Sequence, residues 1–146
     1  LSTLIEDRKN IRTAEQSIKE AESMLQGINR LDELTTVLEK AAEGMQFHEA
    51  IISFYEEDGK LGSRSNNEES SISEKVSWKD PNFSGYYSRK NEFVAEFPIS
   101  GRKYSYGKIL YRFIDNRDKL EVNEEVLLER IHDGLSVFAA KVRKQS

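Results

Sequence analysis

Asn91-Glu-Phe-Val-Ala-Glu-Phe-Pro-Ile99 and Tyr104-Ser-Tyr-Gly-Lys-Ile-Leu-Tyr-Arg-Phe-Ile114 are the stretches that decide the fold of this chain. Both are rich in β-branched and aromatic residues, and the segment between them, Ser100-Gly-Arg-Lys103, is typical of a hairpin turn. Alternation predicts that one face carries Phe93, Ala95, Phe97 and Ile99, which meet Ile109, Tyr111 and Phe113 across the ladder. Pro98 has no N–H to donate, which predicts that this side of the residue faces an edge or a bulge. We therefore predict an antiparallel hairpin.

A second β region precedes this hairpin. Ala50-Ile-Ile-Ser-Phe-Tyr55 is β-branched and aromatic on both faces, which predicts a central strand that ends in a turn at Asp58-Gly59. Val76-Ser-Trp78 predicts a short edge strand that stops at Asp80-Pro81. The serine-rich stretch 63–73 predicts a surface loop between them.

The chain opens with a helical pattern. Thr3 and Glu6 form a capping box, and apolar residues then recur every seven positions, with Ala14, Ala21 or Ile28 three residues further on. This narrow seam predicts a coiled-coil-like helix that pairs with a second copy of the chain. The predicted contact residues are Leu4, Ile11, Ile18, Leu25 and Ile28. The alternative is an amphipathic helix that lies on its own domain.

Two further helical segments are predicted. After Gly27 the apolar pattern shifts, so either the first helix continues with a displaced seam or a second helix restarts at Asn29; this segment ends at Gly44. The other closes the chain, with Asn123 as its N-cap and a hydrophobic staple between Val122 and Leu127. Its apolar stripe predicts a second part of the dimer interface, formed by Leu128, Ile131, Leu135, Phe138 and Val142.

The composition narrows the classes of function. Asp and Glu number 26 against 22 Lys and Arg, a net charge of −4 that repels phosphate backbones, so we predict no nucleic-acid partner. The chain has no Cys, which excludes disulfides, thiolate zinc sites and Cys nucleophiles within it. Because a chain without Cys fits a reducing compartment, we predict a cytoplasmic location. Since no apolar run reaches about 18 residues, we predict no membrane contact by this chain. It begins at Leu1 rather than Met, and we expect a fragment of a larger protein.

No residue pattern predicts catalysis or a metal site. His48 and His132 are far apart in the sequence, and each is more typical of a structural or surface histidine. Gly101–Lys108 is one residue longer than a phosphate-binding loop, and Ile109 stands where that loop needs Ser or Thr. The acidic residues 56–58 lack calcium-loop spacing. We therefore predict that the chain is not an enzyme, and the sequence identifies no cofactor.

One cluster of aromatic residues is a candidate ligand-binding site. Aromatic residues concentrate in the predicted loop region after the edge strand, and large rings are seldom exposed without purpose. With two rings of the hairpin they form the candidate ligand site: Trp78, Phe83, Tyr86, Tyr87, Phe97 and Tyr111. The alternative is that the rings in the loop fill the space a ligand would occupy.

Three stretches resemble GAF domains: Leu31–Met45, Phe93–Tyr111 and Asn123–Val142. The resemblance implies an α+β fold with a central antiparallel sheet, helices on one face, a small-molecule pocket on the other, and dimerisation through the first and last helices. The Asn-Lys-Phe-Asp-Glu signature of cyclic-nucleotide-binding members is missing, and no Cys is present to attach a bilin. A PAS-like fold, with residues 51–59 as its opening hairpin, is the structural alternative.

These observations combine into one expectation. We predict an N-terminal helix over 1–28 and a GAF-like domain over 29–146. The expected function is that of a non-catalytic regulatory domain, a homodimer that binds a small ligand and controls an effector domain in the same polypeptide. The alternative is a structural oligomerisation or docking domain without a ligand.

Overall fold

The computed structural model describes residues 2–60, 72–82, 92–114 and 118–145, and it describes side chains from Thr13 to Glu56 and over 72–82, 92–114 and 118–143. Within these ranges three α-helices and four strands follow one another. The order is α1 (Ser2–Gly27), a 3-10 turn (Leu31–Glu33), α2 (Leu34–Met45), β1 (Glu49–Lys60), β2 (Ile72–Lys79), β3 (Glu92–Ser100), β4 (Tyr104–Ile114) and α3 (Val122–Gln145). The predicted α+β class is confirmed.

The four strands form one antiparallel sheet in the order β2-β1-β4-β3. β1 is central and β2 is at an edge, as the sequence predicts. The hairpin register is also confirmed, since Phe93 lies opposite Phe113 and Phe97 lies opposite Ile109. Pro98 lies in β3, an edge strand, where a missing N–H is tolerated.

The predicted turn at Asp58-Gly59 is wrong. These residues lie inside β1, where Gly59 pairs with Ser105 of β4 after an irregularity in the register. The long β4 provides a pairing edge that continues past Tyr55, and such tertiary pairing outweighs the local preference of an Asp-Gly pair for a turn.

The predicted end of α2 at Gly44 is wrong as well. The helix runs through Gly44 to Met45, and Gln46 ends it in the left-handed conformation, with φ 64°. Gly44 serves a crossing between helices: a Cβ there would lie 2.5 Å from the Cβ of Ser17 and 2.8 Å from the Cα of Ala14. The Ser17 hydroxyl of α1 accepts a hydrogen bond from the Gly44 N–H at 3.1 Å and donates to the carbonyls of Lys40 and Ala41 in α2. The small residue therefore lets α1 and α2 touch.

The start of α3 differs from the prediction by two residues. Glu121 is the N-cap, because its carbonyl accepts the bond from the Glu125 N–H and its own N–H donates to the Glu124 carboxylate at 2.9 Å. Val122 is 79% exposed, so the predicted staple onto Leu127 does not form. The Glu124 carboxylate reaches back from the first turn to the N–H of the N-cap residue itself, which is the contact made by the acidic residue of a capping box.

One face of the second half of α1 belongs to the core. Ile18, Ala21 and Leu25 are buried among residues of α2 and α3. The two helices flank α1 in opposite directions: α2 is antiparallel to it, and α3 is parallel, with Arg130 beside Glu22 and Gly134 beside Leu25.

α1 is longer than the helices that flank it. The carboxyl end of α2 lies near Ala14 of α1. The start of α3 lies at the same height: Arg130 is beside Glu22, and Val122 and Ala14 each lie eight residues before that contact. The helical backbone of Ser2–Arg12 therefore extends about 16 Å beyond both neighbours.

Candidate functional site

The predicted ligand residues divide into two groups. Phe83, Tyr86 and Tyr87 lie outside the described residues. Trp78, Phe97 and Tyr111 lie on the sheet face that packs against the helices.

These three rings belong to an aromatic cluster. The Trp78 and Tyr111 ring centroids are 5.9 and 5.0 Å from that of Phe47, and the Phe97 centroid is 6.1 Å from that of Tyr111. These ring contacts explain the positions of the three side chains. They favour the alternative that aromatic rings fill the space a ligand would otherwise occupy. Their role toward a ligand stays a prediction.

A buried polar pair lies beneath this cluster. The Tyr111 hydroxyl and the His132 Nε2 are hydrogen-bonded at 2.9 Å, and the Phe97 ring stacks 4.8 Å from the imidazole. Burial lowers the pKa of His132 to about 4 and raises the pKa of the Tyr111 hydroxyl, so both groups are neutral near pH 7. The contact ties α3 to the centre of the sheet. The sequence did not indicate it, because the two residues are 21 positions apart on different elements.

A chain of charges crosses the opposite face of the sheet. Arg112 Nε lies 2.9 Å from a Glu49 oxygen, and Arg112 Nη1 lies 3.4 Å from Glu92. The other Glu92 oxygen lies 3.3 Å from His48 Nε2. The carboxylates of Glu49 and Glu92 neutralise Arg112 across three neighbouring strands, an arrangement that stabilises strand order. Within the described ranges no group of three or more His, Cys, Asp or Glu residues is arranged to hold a metal ion.

The predicted dimer residues are mostly buried inside one chain. Leu4 and Ile11 lie in the part of α1 whose side chains fall outside the described residues. The core of the same chain takes up most of the others, Ile18, Leu25, Leu128, Ile131, Leu135 and Phe138, and partly buries Ile28 and Val142. Their burial therefore needs no second copy, and a partner cannot reach the buried ones while α1 and α3 keep their places.

The face of α3 that points away from the sheet carries exposed apolar residues instead. Val126 is 53% and Val137 is 71% exposed. Arg130 and Asp133 lie between them at spacings of four, three and four residues, which places all four on one side of the helix. We call Val126, Arg130, Asp133 and Val137 the outer α3 face. The signal was present in the sequence, but the more apolar inner stripe concealed it.

A groove of about 400 Å³ lies beside the outer α3 face, between α1 and α3. Leu25 and Phe138 contribute to its lining, and an ion pair between Glu22 and Arg130 lies within it. Gly134 keeps the helices close, since a Cβ there would lie 2.5 Å from Leu25 Cδ2. This surface, which combines apolar side chains with an ion pair beside an exposed helix face, is the candidate functional site.

Comparison with known proteins does not extend this description. The sequence matches no family model and no curated protein. No helix in the described residues is long and apolar enough to cross a membrane.

Proposed function

We propose that this chain is a non-catalytic, GAF-like regulatory domain that acts in the cytoplasm. It dimerises through its terminal helices and transmits the binding of a small ligand to an effector domain in the same polypeptide. The observation that carries this proposal is the side-by-side, parallel packing of α1 and α3.

Three contacts couple these helices. The Arg130 guanidinium pairs with Glu22, Gly134 packs against Leu25, and the Lys141 ammonium donates to the Ile28 carbonyl at 2.7 Å. The last contact places a cation at the carboxyl end of α1, where it complements the helix dipole. Because these contacts are distributed along both helices, displacement of α3 displaces α1 with it.

The sheet offers a route by which a ligand moves α3. His132 of α3 is bonded to Tyr111 in a strand flanked on both sides. A ligand bound on the outer face of the sheet that shifts β4 therefore also acts on α3. Coupling of this kind requires that the ligand bind one helix arrangement more tightly than another.

The test measures the distance between the two helices. The chain has no Cys, so spin labels can be placed on exposed positions by Ser23→Cys and Glu129→Cys without background labelling. Nucleotides, haem and small metabolites are first screened for compounds that raise the melting temperature. We expect such a compound to change the distance between the labels. A label pair within α3, made by Asn123→Cys and Glu129→Cys, is the matched control and should not change.

A structural oligomerisation domain without a ligand is the second candidate. The rings packed around Phe47 favour it, because they fill the helix-facing side of the sheet. This candidate would be favoured if the protein is a dimer in solution and no compound in the screen raises its melting temperature. A helix distance that stays constant with a bound compound would contradict signal transmission.

A further inference from the structure

We propose that a second copy of this chain docks on the outer α3 face in an antiparallel register, about a two-fold axis that passes between Ile131 and His132. The proposal rests on the dimerisation in the proposed function, but it assigns the contact between the copies to α3 alone and specifies its direction.

The first step is the spacing of the exposed residues. Val126, Arg130, Asp133 and Val137 follow the four-three-four pattern of a coiled-coil seam. They lie opposite the stripe formed by Leu128, Ile131 and Leu135, which is fully buried. A helix laid along the outer α3 face therefore contacts all four residues without disturbing the core.

The second step is symmetry. A two-fold contact is self-complementary: if residue i of one copy meets residue j of the other, then j meets i. The order Val-Arg-Asp-Val is complementary to the same four residues taken in reverse order, because each Val then faces a Val and each Arg faces an Asp. In the antiparallel register Val126 meets Val137 of the second copy, and Arg130 meets Asp133 of the second copy. The central layers then contain two ion pairs flanked by two apolar contacts.

Charge excludes the parallel register with equal positions aligned. There Arg130 meets Arg130 and Asp133 meets Asp133 of the second copy, and like charges placed together are destabilising. The same preference holds further along the helix, where Glu125 and Glu129 precede the axis and Lys141 follows it. An antiparallel arrangement brings the acidic half of one α3 toward the basic half of the other.

The third step is the availability of the groups. The Arg130 side chain is 41% exposed although it pairs with Glu22, and a guanidinium has donors for a second carboxylate. Val137 borders the groove whose lining includes Leu25 and Phe138, so the second helix finds apolar surface beyond the four seam residues. Because the apolar layers are few, the dimer should be weak and depend on concentration.

The register is tested by cross-linking of two single-cysteine variants. Val126→Cys and Val137→Cys are made separately, and each replaces an exposed side chain in a chain that lacks Cys. We expect a disulfide-linked dimer when the two variants are mixed under mild oxidation, and little when either is oxidised alone. Val94→Cys, at an exposed apolar position on β3, is the matched control and should not cross-link with either.

Charge reversal provides a second, independent measurement. Asp133→Arg alone should place four cations at the centre and abolish the dimer, and Arg130→Asp alone should place four anions there. A mixture of the two variants restores opposite charges at every contact and should form a heterodimer. Sedimentation measures the masses, and circular dichroism verifies that each variant is folded.

Two outcomes separate the register from the function. Cross-linking of Val126→Cys with itself would overturn the antiparallel register and leave dimerisation standing. A monomeric mass at every concentration, with no cross-link in the mixture, would overturn both.

Discussion

The two faces of α3 differ in what they offer to another molecule. The inner face is the more apolar, and its central residues Leu128, Ile131 and Leu135 are completely buried by their own chain. The outer face has two charged residues between two valines, and it remains exposed. The stronger hydrophobic stripe therefore forms the core, whereas the weaker and mixed stripe is available to a partner, in agreement with the polar character of interfaces between separately folded chains.

The largest expected effect comes from the inner face. Leu135→Ala removes a fully buried side chain and leaves a cavity, so we expect the free energy of unfolding to fall by about 3 kcal/mol. Urea denaturation of the folded protein measures this loss. An unchanged midpoint would show that α3 does not pack on the sheet as described.

Acid should weaken the same face through His132. Its pKa is about 4 in the folded chain and near 6.5 when unfolded, so the unfolded state binds more protons between these values. Stability is thus fully present above pH 6.5 and falls as the pH is lowered toward 4, by up to about 3 kcal/mol.

His132→Gln removes this titration. Urea midpoints at several pH values should therefore decline less steeply with acid for the variant than for the parent protein. Parallel declines for the two proteins would contradict the burial of His132. Tyr111→Phe is the matched control, because it removes the hydrogen bond but keeps the buried imidazole.

The crossing of α1 and α2 allows a comparison of two glycines. Gly44→Ala should lower the free energy of unfolding by about 2 kcal/mol, because the added Cβ meets the backbone of α1 and the Ser17 Cβ. Gly27→Ala meets no atom within 4 Å and should be neutral or slightly stabilising. Thermal denaturation of both variants measures the difference, and equal melting temperatures would mean that the helices are further apart.

The smallest effect on stability belongs to the outer face. Val137→Ala should change the free energy of unfolding by less than about 0.5 kcal/mol, because the side chain is already exposed. The same variant should weaken self-association, which sedimentation at several concentrations measures. A large loss of stability in the monomer would show that Val137 is covered by its own chain.

Residues close together in the sequence were the predictable ones. The hairpin over 92–114 and the position of Pro98 on an edge strand follow from alternation and from the missing proline donor. The seven-residue spacing of α1 indicated a helix, but it did not indicate which molecule would bury its stripe.

Contacts between distant elements were not predictable. His132 meets Tyr111, and Gly44 meets Ser17, only because the sheet and helices bring them together. Asp58-Gly59 shows the same limit, because its local preference for a turn is outweighed by a strand that becomes its neighbour only in the folded chain.

The length of α1 has a consequence for how the protein would be used. If two copies meet in the antiparallel register along α3, the first turns of the two α1 helices leave the dimer at opposite ends, since α1 is parallel to α3. The amino-terminal ends of the two α1 helices would therefore lie far apart. Leu4 and Ile11 of one copy could not pair with the same residues of the other copy in that dimer. To bring two domains attached at these ends into contact with each other, the two copies would have to be parallel instead.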